Sequence, residues 1–264
     1  MAVMQRYAIG VEYDGRAFNG WQIQPDRPTV QEALERAVAR MAGHPLRVHA
    51  AGRTDAGVHA TGQVCHFDSD AKRPLNAWVR GVNSFLPEGV AVTWSRAVPE
   101  HFHARFVATA RHYRYLVLNH PVRPALLAGR IGWAHQELDV PAMRAAAELL
   151  LGEHDFSSFR AAECQAPSPV KLMRAIRIRQ DGQLLCFDFS ASAFLHHMVR
   201  NIMGALLHIG KGNQPAEWMS ELLSWQDRSL APPTFMPDGL YLSGVSYPPE
   251  FELPSEPAPR YGLL

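Results

Sequence analysis

The sequence predicts an α+β protein built from two split βαβ units. Three observations carry this: apolar residues alternate with period two in short runs, helical stripes separate those runs, and the order of elements occurs twice. In the first unit Tyr7, Ile9, Val11 and Tyr13 alternate with smaller or polar residues until Asp14-Gly15, which marks a half-buried strand and its end. Thr29 with Glu32 forms a capping box ahead of Val30, Ala33, Leu34, Ala37, Val38 and Met41, a helical stripe that Gly43 closes. Leu46, Val48 and Ala50 read as the next strand and Gln63 to Asp68 as the one after. Pro74 opens a helix carrying Leu75, Trp78, Val79, Val82 and Leu86, and Val90, Val92 and Trp94 supply a closing strand. Strand, helix, strand, strand, helix, strand is the ferredoxin-like order.

Beyond Phe106 the order recurs. A strand from Arg111 to Leu118 is followed by a helix that Asp139 and Pro141 open and that carries Met143, Ala147, Leu150 and Leu151. Strands around Ile176 to Ile178 and Leu185 to Phe189 come next. A helix with Leu195, Met198, Val199, Ile202, Met203, Leu206 and Leu207 on one stripe then precedes a last strand from Leu240 to Tyr247. Long insertions, His120 to Arg130 and Phe159 to Lys171, interrupt this unit, and long loops often bind something. The expected division is an N-terminal domain over 1–105, a C-terminal domain over 106–247 and a proline-rich tail over 248–264, wrapped or mobile.

The composition of this 264-residue chain, 47% apolar and 19% charged, is that of a globular protein. A net charge of +1 does not announce a polyanion binder, yet 23 of the 26 basic residues are arginine, Lys72, Lys171 and Lys211 being the exceptions. Guanidinium forks suit phosphates and bases, although a GC-rich genome would give the same bias. Cys65, Cys164 and Cys186 are odd in number and lack metal-ligand spacing, so neither a disulfide framework nor a zinc site is expected. With no targeting segment and no bilayer-length apolar window, a soluble cytoplasmic protein is expected.

The segment Gly52-Arg53-Thr54-Asp55-Ala56-Gly57-Val58-His59 sets one carboxylate near one arginine in a glycine-punctuated loop between two strands. It reads either as a polar turn closed by an ion pair, or as a site in which Gly52 and Gly57 let the acid be aimed and Arg53 keeps it ionised. Tyr113 lies on the first strand of the second unit among Arg111, Arg114 and Tyr115. A strand tyrosine is often packing, but arginines interleaved with rings also offer phosphate contacts and a stacking face. Arg200 lies in the segment Ala193 to Asn201, read as helical. It is either a solvated charge or a guanidinium reaching Asp55 across a cleft between the units. His101, His103, His196 and His197 make a weak metal set, because neighbouring helical histidines diverge and no His-Glu-x-x-His pattern occurs. No nucleophile elbow, Walker loop or dinucleotide fingerprint is present, so no cofactor is indicated.

Val11-Glu12-Tyr13-Asp14-Gly15 with Gly20-Trp21-Gln22, Gly52 to His59, Phe102-His103-Ala104-Arg105-Phe106, Ala108 to Tyr115, Gly152 to Phe159 and Phe194 to Asn201 resemble, in order, the blocks of the TruA family of tRNA pseudouridine synthases. The resemblance covers most of the chain. It implies the pseudouridine synthase fold, a continuous mixed, mostly antiparallel sheet with helices on one side. It further implies a cofactor-free homodimer that isomerises uridines in the anticodon stem and loop of tRNA, at tRNA positions 38, 39 and 40. By the same resemblance Asp55 is the catalytic acid, Tyr113 the ring on the target base and Arg200 the partner of the acid. Arg53 is then a basic residue that opens or holds the RNA and Leu195 part of the base pocket, while Arg111 joins them in binding substrate. His112 stands where the family often has a second basic residue, and Ala193 where glycine is frequent. The competing readings are a tRNA-binding protein that has kept the fold without catalysis, and a metal-assisted hydrolase built on the histidines.

Overall fold

In a computed structural model the described residues are 4–254, so the part of the expected tail from 255 onward lies outside them. Along the chain run β1 (Gln5–Tyr13), α1 (Val30–Ala42), β2 (His49–Ala50), β3 (His59–Ser69), α2 (Leu75–Asn83), β4 (Val90–Val98) and β5 (Ala110–Asn119). They are followed by β6 (Gly132–Ala134), α3 (Val140–Glu148), β7 (Gly152–Asp155), β8 (Val170–Asp181), β9 (Leu184–Ala191), α4 (Met198–Gly210), α5 (Trp218–Trp225) and β10 (Leu240–Ser246). The chain divides into two compact units, one comprising residues up to Thr109 together with those from Tyr241 onward, the other Ala110–Leu240.

In the first unit β1 is central, antiparallel to β3 on one side and β4 on the other. β2 adds two residues to β3, and β10 pairs with β3 in parallel, Tyr241 opposite His59. The helices form where side chain and backbone agree. The Thr29 hydroxyl accepts from the Glu32 amide at 3.4 Å to start α1, and Gly43, at φ +84°, ends it in the left-handed conformation a side chain resists. Trp78 of α2 is fully buried with its ring 5.1 Å from those of Tyr7 and Phe67, which are register partners on β1 and β3. The other sheet face has a second core without helices. Ala8, Val64 and Val98 pack with Ala51, Phe102, Ala104 and Phe251, so the Phe102 to Phe106 block and the chain after β10 cover what the helices do not. Tyr247 donates to the Ala104 carbonyl at 2.7 Å within that cover.

In the second unit β5, β9, β8 and β7 form an antiparallel sheet, with β6 parallel to β5. Arg111, Tyr113, Tyr115 and Val117 share one face with their register partners Ala191, Phe189, Phe187 and Leu185. α3 starts where Asp139 accepts from the Ala142 amide at 2.9 Å.

Two sequence expectations change. The strand read at Leu46 to Ala50 shrinks to two residues, because Val48 instead gives its amide to the Glu35 carboxylate at 3.0 Å. The helix read from Ala193 begins only at Met198, since His197 has φ +62° and breaks the backbone despite the continuing apolar stripe. Beyond these, β6, β7 and α5 are elements the sequence reading did not name; β6 and β7, with three and four residues, are too short for a period to show.

Candidate active site

Asp55 is half-buried in the loop between β2 and β3, and what fixes it is the treatment of its neighbours. The Gly52 carbonyl accepts from the Gln63 side-chain amide at 2.7 Å. Thr54 is held twice, its carbonyl accepting from the Trp21 amide at 3.0 Å and its hydroxyl lying 2.8 Å from the Tyr13 hydroxyl. The Asp55 carbonyl accepts from Val58 at 3.1 Å and closes the turn. Two glycines from the block after β1 make room. A Cβ on Gly15 would lie 2.1 Å from the Val58 carbonyl oxygen, and one on Gly20, at φ +88°, 2.8 Å from the Thr54 carbonyl oxygen. Of the glycines inside the loop, Gly57 has φ +80°, a conformation side chains disfavour, whereas Gly52 has open space where a Cβ would go.

Arg53 does not do what the loop composition led us to expect. It is exposed and makes no ion pair among the described residues, with Asp55 or any other acid. Both its neighbours are bonded inward, which leaves Arg53 on the outer side of the loop with its guanidinium in water.

At the start of β3, next to the loop, His59 is buried and stacks on Tyr241 of β10 with ring centroids 4.6 Å apart, while its Nδ1 accepts from the Gly15 amide at 3.1 Å. Farther along β3, His66 is buried among His49 and His103, with centroid distances of 4.9 and 4.5 Å, and its Nδ1 accepts from the Ala104 amide at 3.2 Å. Burial, with help from the neighbouring imidazoles, lowers its pKa from 6.5 to about 3. His66 is therefore a neutral structural ring at physiological pH.

In the second unit Tyr113 is half-buried on β5, the edge of its ring against Phe194 at 5.0 Å and 82°. Arg111 donates to the Ser192 carbonyl at 3.1 Å, which ties β5 to the segment leading to α4. Leu195 is buried just before α4, its amide and carbonyl both engaged with Met198. Arg200, in the first turn of α4, donates from Nε to the Phe235 carbonyl at 2.9 Å and accepts from the Phe235 amide. The other two expected members of this group divide. Arg114 faces the opposite side of the sheet and pairs with Asp188 at 2.7 Å. Tyr115 is buried and donates to the Met236 carbonyl, burial pushing its phenol pKa up.

The unit-two set thus offers a ring, an apolar patch and guanidinium groups, and the unit-one loop offers an acid on a fixed stem. The tRNA pseudouridine synthase family matches residues 9–107 and 146–248, which include every residue just described around Asp55 and those from Leu195 to Phe235. The chain belongs to the tRNA pseudouridine synthase family. Relatives named tRNA pseudouridine synthase A resemble it nearly end to end. One from Chromobacterium violaceum is 63% identical over 95% of this chain and 96% of its own, and one from Dechloromonas aromatica 60% identical over 94% and 95%. A third, from Methylobacillus flagellatus, is 58% identical over 92% and 93%. For a tRNA pseudouridine synthase, the residues to which sequence reading gave no role of their own are Gln63, Thr54 and Tyr13, each named only within a longer segment. Gln63 carried a signal: it shares the strand face of Cys65 and Phe67, where alternation asks for an apolar side chain.

Proposed function

We propose that this chain isomerises tRNA uridine to pseudouridine through the Asp55 carboxylate, with Tyr113, Arg53, Arg200, Leu195 and Arg111 binding the substrate. The reaction breaks the bond from uracil N1 to ribose C1′, turns the base and joins C5 to C1′; N1 gains a proton and C5 gives one up, so no oxidant or reductant is needed. A single ionised carboxylate is enough for this, either by attacking the nucleoside or by removing and returning the C2′ proton. The observation that carries the reading is a half-buried acid on a stem pinned by neighbouring bonds, in a chain of the tRNA pseudouridine synthase family.

A target base must leave its stack before any carboxylate reaches C1′. Extrusion costs a few kcal/mol, which stacking on the Tyr113 ring and phosphate contacts from arginine offset. Arg53 supports this assignment because its guanidinium is exposed and makes no ion pair with a described residue. Leu195, buried at the head of α4, is an apolar wall suited to hold the freed uracil until C5 is in place. We further propose that the target uridines are those of the anticodon stem and loop, at tRNA positions 38, 39 and 40, and that the enzyme works as a cytoplasmic homodimer. The catalytic acid is assigned to the first unit, and the insertions His120 to Arg130 and Phe159 to Lys171 of the second unit to RNA binding. The test is to map pseudouridine in bulk tRNA after incubation with wild-type and Asp55→Ala protein. New pseudouridine with wild type alone is the expected result, and equal conversion by both removes Asp55 from the chemistry.

A further inference from the structure

Two sequence blocks far from the acid, Tyr13-Asp14-Gly15 and Gly20-Trp21, have no part in the chemistry above, yet both end on the acid's loop. Gly15 lies against Val58, Gly20 against Thr54 and Asp55, and the Trp21 amide on the Thr54 carbonyl. Tyr13, from the end of β1, is 4% exposed and Thr54 7%; their hydroxyls are 2.8 Å apart. Gln63, fully buried on β3, donates to the Gly52 carbonyl at 2.7 Å and lies 3.5 Å from the Tyr13 hydroxyl. The Gly52 contact fixes which end of that amide is nitrogen, since the reversed group would set two oxygens against each other.

Resting on the assignment of Asp55 as the catalytic acid, we propose that the hydrogen bond between Tyr13 and Thr54 is a positioning device for the reaction, with Gln63 its support. Thr54 immediately precedes the acid, and it is gripped on both sides: its carbonyl by the backbone of Trp21, its side chain by Tyr13. The peptide that carries Asp55 therefore has little freedom to rotate, and the carboxylate leaves the loop in one direction. A reaction in which a single group must face the sugar, then a turning base, is sensitive to that direction. A misplacement near 1 Å is worth about 10²-fold in rate. Apolar packing at this spot would fill the same volume without setting the angle, which explains why three polar side chains occupy a place otherwise suited to hydrophobic ones.

The test uses the full-length enzyme with tRNA, measuring single-turnover rate constants with enzyme in excess, tRNA affinity and melting temperature. Single-turnover constants ignore any inactive fraction, so a merely structural role leaves them at the wild-type value. Thr54→Val and Tyr13→Phe are each expected to slow the single turnover by about 10- to 100-fold while tRNA affinity stays within about twofold of wild type. The double variant should be no slower than either single one, because all three lack the same bond. Thr54→Ser, which restores the hydroxyl, should recover most of the rate. Wild-type turnover in Thr54→Val and Tyr13→Phe, or Thr54→Ser as slow as Thr54→Val, overturns the proposal. Asp55→Asn measured alongside separates the two levels. If it is inactive while Thr54→Val is fully active, only the positioning role fails; if it turns over normally, the assignment of Asp55 fails and the positioning role with it.

Discussion

The loop around Asp55 in the first unit and the segment from Ser192 to Arg200 in the second are held by different means. Around Asp55 the restraints are buried side-chain groups with fixed directions: Tyr13 on Thr54, Gln63 on Gly52, and glycine contacts that admit no Cβ. Along the other segment the backbone does the holding. The Ser192 amide donates to the Leu172 carbonyl and its own carbonyl accepts from Arg111, the His196 carbonyl accepts from Ala161, and Arg200 exchanges bonds with the Phe235 backbone; the Ser192 hydroxyl, ring edges and sulfur add further contacts. On the proposed assignment, the group that reacts is fixed by directional polar bonds from buried side chains, whereas the surface that takes the base is fixed mainly through its main chain.

The largest effect expected from breaking this contrast is at Asp55. Asp55→Asn should keep tRNA binding and lose isomerisation by on the order of 10³-fold or more, read as tritium release from RNA labelled at uracil C5. Wild-type release would refute the assignment. Next comes the glycine clamp. Gly15→Ala drives a methyl into the Val58 carbonyl and should cost about 1–3 kcal/mol with a lower melting temperature and lower activity, while Gly52→Ala, facing open space, should change neither. Equal melting temperatures would show that the close approach at Gly15 carries no weight.

A pH series probes a buried group of the first unit that is not part of the chemistry. His66 titrates near 3 when folded and near 6.5 when unfolded, so the unfolded chain takes up the proton first. Stability is then complete above about pH 6.5 and declines as the pH falls toward 3. The His103 pKa is also lowered by burial and acts in the same direction. A His66→Leu variant should show a shallower decline in melting temperature between pH 7 and 4, and an unchanged slope would count against a neutral buried ring.

Arg53→Ala should weaken tRNA binding several-fold and lower the slope of log affinity against log salt by about 1, without changing the single-turnover rate. A changed rate at unchanged affinity would move Arg53 from the substrate to the acid. The smallest effect is expected for Tyr113→Phe, which keeps the ring against Phe194 and should bind tRNA within about twofold of wild type. A large loss of turnover there would give the hydroxyl a part in proton transfer.

Much of this was legible in the residues. The capping box at Thr29, the glycine at 43 and the alternation in β1 predict their elements because local side chains and backbone agree there. The acid loop is also visible, as a carboxylate among glycines. What could not be read is whatever depends on a distant partner. Arg53 and Asp55 are close in sequence, yet Gln63, Tyr13 and Trp21 decide where their backbone goes. The α4 stripe continues through Leu195, while the left-handed His197 interrupts the backbone that the stripe would need. The last strand follows the second unit in order but pairs with β3 of the first.

That return of β10 sets a schedule for synthesis. The strand beside β3 and the residues that seal the helix-free face, Tyr247 and Phe251 among them, emerge from the ribosome only after the whole of the second unit. A nascent chain released at residue 240 would contain every proposed site residue and still leave His59 without the Tyr241 ring it stacks on. The half that carries the proposed acid is begun first and finished last, so an early stop would yield a chain with Asp55 present and the sheet behind it unfinished.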